Sequence, residues 1–347
     1  MTKGRRLART TTMELTAVGV ASTSSATTTV GPHIPINENF PGLEQVYANP
    51  NVYIIRNYLD ADACDDMMAQ ARTKTMAQSP VAYAGWTDDF KDLFELAAKG
   101  PVAWLALGTA WWQLQGGGSA AEASQLALVT HAVQNYVVFL LLATAAIAAF
   151  TKSRADGLQE LRTSTSTTLD DLQASPGARK FVQVTTQLFG GSTNTMMTTP
   201  SQEASYFEAP TIIRYEAGQQ LAPHFDANRS ASVEDANRGG QTLATLLVYL
   251  NNVPEGGLTR FGRLLKPSSA RHDDDDDDDG QALTVQPQRG DALLFFPADA
   301  AGNFDERTEH EGCPAVDEKW IARIWRHQGM VPPPFGLSQT ELARLEE

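Results

Sequence analysis

Three strand-like runs between residues 242 and 297 limit what this chain can fold into more than any other feature. Each run is rich in β-branched, leucine and aromatic side chains, and turn formers such as Asn251–Asn252 and Arg289–Gly290 bound them. The runs are 242–250, 283–287 and 291–297. We therefore predict antiparallel strands, which can bring residues distant in sequence to the mouth of one barrel.

Two histidines and one aspartate stand on either side of these runs. His224 and Asp226 are two positions apart, so in an extended segment their side chains point to the same side. His310 follows the last of the three runs. Two imidazoles and one carboxylate on one face of a metal ion form the facial triad of non-haem Fe(II) oxygenases, which leaves coordination positions open. The pattern predicts a metal site, although His-x-Asp alone is common without one.

Several longer segments give this pattern a context. They read RYEAGQQLAPHFD (214–226), TLLVYLNNVPEGGLTRF (245–261), VQPQRGDALLFF (285–296) and HEGCPAVDEKW (310–320), with NYLDADACDDMM (57–68) and LRTSTSTTL (161–169) upstream. Together they resemble the prolyl 4-hydroxylase family of 2-oxoglutarate- and Fe(II)-dependent dioxygenases, close to the short plant and algal type. The resemblance covers about 51–82 and 157–328.

The resemblance implies a role for each residue of the motifs. His224, Asp226 and His310 would hold Fe(II), and Lys319 would pair with the distal carboxylate of 2-oxoglutarate. Tyr215 would donate a hydrogen bond to the same cosubstrate, or would simply be a core aromatic residue. The family also implies dependence on ascorbate and conversion of 2-oxoglutarate to succinate as peptidyl proline is hydroxylated.

Arg323 is a rival of Lys319 for the cosubstrate. In the strand KWIARIW both side chains, with Ile321 and Trp325, share one face. Lys319 stands at the position that the family uses, so we expect it to bind the carboxylate. We expect Arg323 to extend toward solvent or toward a neighbouring acid.

Charge and cysteine content exclude some partners and frameworks. The net charge is −14, and seven aspartates at 273–279 supply half of it. No basic field suited to a phosphate backbone is visible, so we do not expect a nucleic-acid partner. The aspartate run predicts a solvated loop, although it would also attract basic peptides or bind cations loosely. Cys64 and Cys313 do not form a disulfide framework, and we predict two buried free thiols.

The first residues and a central segment fall outside the resemblance. Residues 1–50 are the predicted leader. Its first 31 residues begin with one lysine and three arginines (Lys3, Arg5, Arg6 and Arg9) and continue with many threonines and serines. This composition suits an organellar transit peptide, a weak signal sequence or an untargeted tail. Together with the family resemblance, this composition favours the endoplasmic reticulum, secretory membranes or an organelle.

Residues 83–156 are an apolar insert. Within it, 133–150 is long enough for a marginal membrane span; a buried or partner-facing helical hairpin, or a segment foreign to the domain, are the alternatives.

These observations predict an α+β, mainly β, chain with a double-stranded β-helix (jelly-roll) core, flanking helices and a hydrophobic helical insert. The expected organisation is a leader (1–50), the first part of the catalytic domain (51–82), the insert (83–156), the dioxygenase core (157–330) and a C-terminal tail (331–347). The expected function is hydroxylation of a proline-containing peptide or protein. The alternatives are another substrate for the same chemistry and an inactive, membrane-tethered binding protein.

Overall fold

Strand pairing organises the chain into two antiparallel sheets. The computed structural model describes residues 30–78, 90–116, 125–190, 199–228, 238–266 and 281–347. The strands are β1 (Leu43–Ala48), β2 (Asn51–Ile55), β3 (Ala77–Gln78), β4 (Thr165–Thr168), β5 (Thr211–Tyr215), β6 (Leu221–His224), β7 (Thr242–Tyr249), β8 (Thr259–Leu265), β9 (Ala282–Val285), β10 (Ala292–Phe295), β11 (His310–Gly312) and β12 (Lys319–His327). The helices are α1 (Ala61–Thr73), α2 (Phe90–Lys99), α3 (Pro101–Gly116), α4 (Gln125–Leu161), α5 (Pro176–Gly190), α6 (Pro200–Ala204) and α7 (Gln339–Ala343).

The larger sheet has the order β1-β2-β10-β7-β12-β5-β4-β3, and the smaller has the order β6-β11-β8-β9. From β5 to β12 the chain passes repeatedly between the sheets, and each sheet receives four of these eight strands. This crossing pattern is the double-stranded β-helix, so the predicted fold class is confirmed. The three predicted runs lie in β7, β9 and β10.

Side-chain alternation in the large sheet separates two hydrophobic clusters. Ile213, Leu247 and Ile321 point between the sheets, where they meet side chains of the small sheet such as Phe261. Their neighbours in sequence point to the opposite face, toward α1 and α5. Successive side chains of a strand alternate between its faces, so one sheet serves both clusters. Members of the inner cluster such as Leu247 and Ile321 also line the cavity described below.

Asp60 reads as an N-cap, and Met67, Met68 and Ala71 form an apolar stripe at helical spacing, so the sequence predicts a helix after Asp60; α1 confirms this prediction. Asp60 caps it, accepting a hydrogen bond from the Ala63 amide at 3.0 Å, and Met67 and Met68 are buried. The segment NVYIIRNYL predicts a strand over 51–59, but β2 ends at Ile55. Asn57 has a φ of 52°, a left-handed conformation that turns the chain away from the sheet and toward α1.

Three segments predicted to be irregular differ from that expectation. The stretch 191–206, rich in serine, threonine, methionine and proline, predicts a loop. Residues 191–198 lie outside the described residues, and α6 follows them with a capping box between Thr199 and Gln202 and with proline in its first turn. Within the predicted leader 1–50, β1 pairs with β2; residues 1–29 lie outside the described residues. The predicted tail 331–347 contains α7 and buries apolar side chains such as Leu342 in the core.

The insert forms a helical unit, α2 to α4. Helix α4 continues to Leu161, past the predicted limit of the insert at 156. One helical stretch in the described residues, Ala127–Lys152, is long and apolar enough to cross a membrane, and none of it is buried. The aspartate run at 273–279 lies outside the described residues.

Candidate metal centre and adjoining cavity

The structure brings His224, Asp226 and His310 together. His224 ends β6 and His310 begins β11, and the two are opposite each other in the antiparallel register of these neighbouring strands. Asp226 follows His224 at the same end of the barrel. Their potential ligand atoms all lie within 4.8 Å of one another. The strand pairing therefore brings together two histidines that are far apart in the sequence.

Distances within the cluster leave room for one shared ion. The Nε2 atom of His224 lies 3.5 Å from Oδ1 of Asp226, and Nε2 of His310 lies 3.6 Å from Oδ2. The two imidazole rings have centroids 4.3 Å apart. Two nitrogen donors and one carboxylate on one side of a point are the donor set of a facial triad, so these residues fit Fe(II).

Hydrogen bonds outside the cluster orient each ligand. Nδ1 of His224 lies 3.1 Å from the carbonyl of Ala222, and Nδ1 of His310 lies 3.1 Å from the carbonyl of Thr308. A carbonyl only accepts, so each Nδ1 carries the proton and each Nε2 keeps its lone pair for the shared point. The Thr245 hydroxyl donates to Oδ2 of Asp226 at 2.8 Å.

Burial and mutual charge set the protonation of the cluster. Burial lowers the pKa of His310 to about 4, with a further contribution from His224, so this imidazole is neutral near pH 7. Burial alone would raise the pKa of Asp226, but His310 and His224 outweigh it and hold that pKa well below the ordinary range. A neutral imidazole beside a carboxylate is the state that binds a divalent ion.

Lys319 and Tyr215 lie deeper in the barrel. Lys319 begins β12 and is opposite Tyr215 of β5 in the strand register. Only 2% of Lys319 is exposed, and Nζ donates to the carbonyl of Gly257 at 2.6 Å. Burial lowers the pKa of Lys319 to about 8, and no carboxylate of the described residues forms an ion pair with it. Tyr215 is also buried, and burial raises its pKa.

One cavity of about 560 Å³ joins the cluster to Lys319. Apolar side chains such as Leu221, Leu247 and Ile321 line part of it. Its polar and aromatic lining includes His224, Asp226, His310, Lys319, Tyr215, Thr245, Arg162, Glu208, Arg323, Trp325 and Phe335. A cavity of this size with a few convergent polar groups is typical of a small-molecule site.

Arg323 faces this cavity, and the expectation that it extends into solvent is wrong. Its guanidinium lies 3.6 Å from Glu208 and 3.5 Å from the ring centre of Trp325. The alternative expectation, that Arg323 extends toward a neighbouring acid, agrees with its ion pair with Glu208. Two buried nitrogen atoms of this wall, Arg323 Nε and Trp325 Nε1, make no hydrogen bond within the described residues, whereas Glu208 Oε1 lies 3.5 Å from Nε2 of His327 behind the wall. Buried polar atoms normally have partners, so this wall can accept hydrogen-bonding groups of a ligand.

Sequence reasoning missed Thr245 and Glu208. Thr245 shares the inward face of β7 with Leu247, so the strand period could have indicated it. Glu208 comes from a segment without strand or helix periodicity, and only the folded chain places it against β12. Both cysteines are free thiols as predicted, but only Cys64 is buried; the prediction of burial is wrong for Cys313, which is half-buried.

Comparisons with known proteins agree with this geometry. Residues 210–327 match the family model of the 2OG-Fe(II) oxygenase superfamily. The chain is 38% identical over 122 residues to probable prolyl 4-hydroxylase 6 of Arabidopsis thaliana. This match covers 35% of the chain and 42% of that relative. The chain therefore spans less than half the length of this curated relative.

Two solved structures are also similar to the chain. A viral collagen prolyl hydroxylase of Paramecium bursaria Chlorella virus-1, in complex with 2OG, is 17% identical and has a TM-score of 0.39; the match covers 79% of this chain and 94% of the viral one. A Trichoplax adhaerens prolyl hydroxylase, in complex with a peptide fragment of the hypoxia inducible factor oxygen degradation domain, is 13% identical and has a TM-score of 0.41. That match covers 86% and 88% of the two chains.

Proposed function

Because this chain belongs to the 2OG-Fe(II) oxygenase superfamily, we propose that it is a hydroxylase that consumes 2-oxoglutarate and O2 and releases succinate and CO2. The observation that carries the proposal is the convergence of His224, Asp226 and His310 on one point beside a cavity with a buried lysine. The chemistry needs a metal with open coordination positions and an anchored keto acid, and this arrangement has residues for both.

His224, Asp226 and His310 would hold Fe(II). When bound, the ion supplies the O2 chemistry that no protein side chain provides. The chain itself orients the ligands: the carbonyls of Ala222 and Thr308 fix the two imidazoles, and Thr245 fixes the carboxylate. Ascorbate would keep the iron reduced, as in the family.

Lys319 would bind the distal carboxylate of 2-oxoglutarate. An ammonium group with 2% exposure and no anionic partner among the described residues has lost most of its hydration, and an anion would compensate that loss. Tyr215 is opposite Lys319 in the register, and its hydroxyl would donate to the same carboxylate. The apolar side chains around them exclude water from the cosubstrate.

We further propose peptidyl proline as the substrate. Relatives that share this region bear the name prolyl 4-hydroxylase, and the cavity has an aromatic wall that includes Trp325 and Phe335. Proline-rich segments dock on aromatic surfaces, and their backbone carbonyls need donors. The unpartnered Nε of Arg323 and Nε1 of Trp325 are such donors.

A turnover assay separates this proposal from its alternatives. The purified chain, supplied with Fe(II), 2-oxoglutarate and ascorbate, should release succinate when a proline-rich peptide is present, and mass spectrometry should find a gain of one oxygen on proline. Succinate release without peptide oxidation would favour another substrate. Failure to bind Fe(II) would favour an inactive binding protein and contradict the proposal.

We also propose that the chain associates with a membrane through residues 133–150, which lie inside α4. This stretch has no charged side chain, and it is part of the one helical stretch of the described residues that could span a bilayer. Valine and leucine side chains on it are exposed, among them Val138 and Leu141.

A further inference from the structure

Polar side chains connect the helices of the unit α2–α4. Asn135 of α4 donates to the Thr109 hydroxyl at 3.0 Å and to the Gln113 side chain at 3.2 Å, both in α3. Tyr136 donates to the carbonyl of Ala98 at 3.3 Å. The buried positions of α3 are occupied by small or medium side chains, such as Ala106 and Ala110. Small residues and interhelical polar pairs are how helices associate in a membrane.

The outer surface of the same unit is apolar. Trp104 and Trp112 are 76% and 75% exposed, and several large apolar side chains around them are more than half exposed. Helix α3 has no charged residue, and α4 has none before Lys152. A water-exposed helix usually carries charged and polar residues on its outer face, whereas the outer face of this unit carries apolar ones.

A lipid surface fits this face better than a protein partner does. Stable protein interfaces have an apolar centre with a polar rim, and neither helix supplies a charged rim between Pro101 and Thr151 in its described parts. Ala127–Lys152 has 26 residues. At 1.5 Å per residue it is about 39 Å long, enough for a hydrocarbon layer of about 30 Å.

The fold, however, does not allow α4 to cross a bilayer alone. The chain before the unit supplies β2, which pairs with β10, and β3, which pairs with β4 after the unit. Tyr58 also hydrogen-bonds to Thr185 of α5 at 2.9 Å. A single crossing would place 30–78 and 162–347 on opposite sides of the membrane and break these contacts. The chain must therefore return to the side from which it entered.

We propose that α3 and α4 enter a lipid bilayer as a hairpin and return to the side on which the barrel lies. Lys99 and Lys152 would then border the uncharged helices on that side, where they meet anionic headgroups. The hairpin tethers the barrel to the membrane surface and keeps the cavity on one side of it. This arrangement rests on the proposed membrane association and is independent of the hydroxylase activity.

Flotation with vesicles of phosphatidylcholine and phosphatidylglycerol tests the association. We expect the full chain to float with the vesicles and the triple variant Trp104→Ser, Trp111→Ser, Trp112→Ser to lose about tenfold or more of its binding. The matched control is Val316→Ser with Met330→Ser, two exposed apolar residues of the barrel, which should float like the parent chain. The proposal would be overturned if the parent chain did not bind the vesicles. It would also be overturned if light scattering showed a soluble oligomer that buries the tryptophans instead.

Labelling of sealed vesicles tests the hairpin itself. Glu38→Cys and Thr340→Cys place one thiol on an exposed position before the unit and one after it. After addition of the folded chain from outside, an impermeant maleimide should label both at the same rate, above the labelling of Cys64 and Cys313 in the parent chain. Brominated lipid should quench the parent chain more than the triple variant. If only one thiol reacts, the hairpin is wrong although the association stands.

Discussion

His224 and His310 are a cross-strand pair, with the last residue of β6 opposite the first residue of β11 and the ring centroids 4.3 Å apart. Metal affinity in this arrangement depends on the pairing of two short strands at the barrel mouth. Each histidine is held twice, by its strand and by a carbonyl on Nδ1. The ligands are therefore oriented before the metal arrives, which favours tight and selective binding.

We expect His224→Ala or His310→Ala to abolish turnover and to weaken Fe(II) binding at least about a hundredfold, because each removes one of three ligands. Anaerobic calorimetry with Fe(II) measures the affinity. His33→Ala is the matched control, since His33 stacks on Phe296 away from the cluster. If His310→Ala kept the parent affinity while His33→Ala lost it, the metal centre would be elsewhere.

Much of this site could be predicted because short-range periodicity controls it. The two-residue spacing of His224 and Asp226 and the alternation in β12 put side chains on one face whatever the partner strands are. The strands β7, β9 and β10 are recognisable because their composition is apolar or β-branched throughout. Asp60 can be predicted as an N-cap because aspartate side chains accept hydrogen bonds from the free amides at the start of a helix.

The remainder depends on contacts that no local pattern encodes. Glu208 reaches Arg323 only because its segment lies against β12. Strand β1 lies at the sheet edge and has no buried side chain, so its sequence lacks a clear period. The segment after residue 330 packs through scattered apolar residues, such as Val331 and Leu345, which read as a tail until the core is known.

Lys319→Ala should raise the dissociation constant of 2-oxoglutarate by about a hundredfold or more, since removing one partner of a buried charge pair costs about 3–5 kcal/mol. Fe(II) affinity should stay the same, because Lys319 is not a ligand. Calorimetry on the iron-loaded chain separates the two quantities. Lys180→Ala, which removes only an exposed ion pair with Asp60, is the control. Unchanged 2-oxoglutarate affinity in Lys319→Ala, with a loss in Arg323→Ala, would contradict the assignment.

The affinity for 2-oxoglutarate should fall as the pH rises above 8. Burial lowers the pKa of Lys319 to about 8, so the free site carries an ammonium below that pH and a neutral amine above it. Only the ammonium pairs with a carboxylate, so the dissociation constant should rise about tenfold per pH unit beyond the pKa. Lys319→Arg keeps its charge and should flatten this dependence. An equally steep profile in Lys319→Arg would assign the titration to another group.

Thr245→Val should weaken Fe(II) binding by about tenfold to a hundredfold, because Asp226 would lose the hydroxyl that orients it. Valine has nearly the volume of threonine, so the fold of β7 should be preserved. Thr242→Val, at a buried threonine of the same strand, is the control for packing. Equal affinities in both variants would show that the hydroxyl has no part in metal binding.

Arg323→Ala should raise the KM for a proline-rich peptide about tenfold while the dissociation constant of 2-oxoglutarate stays within about twofold of the parent value. The reason is position: the guanidinium lies on the wall with Glu208 and Trp325, and its Nε makes no hydrogen bond within the described residues. Arg323→Lys keeps the charge but lacks the planar fork, so it should recover only part of the peptide affinity. Arg326→Ala, which removes a cation that pairs with Glu203, is the control. A peptide KM unaffected by Arg323→Ala, or a rise of the same size in Arg326→Ala, would remove this wall from substrate recognition and leave the metal centre and Lys319 as the whole of the site.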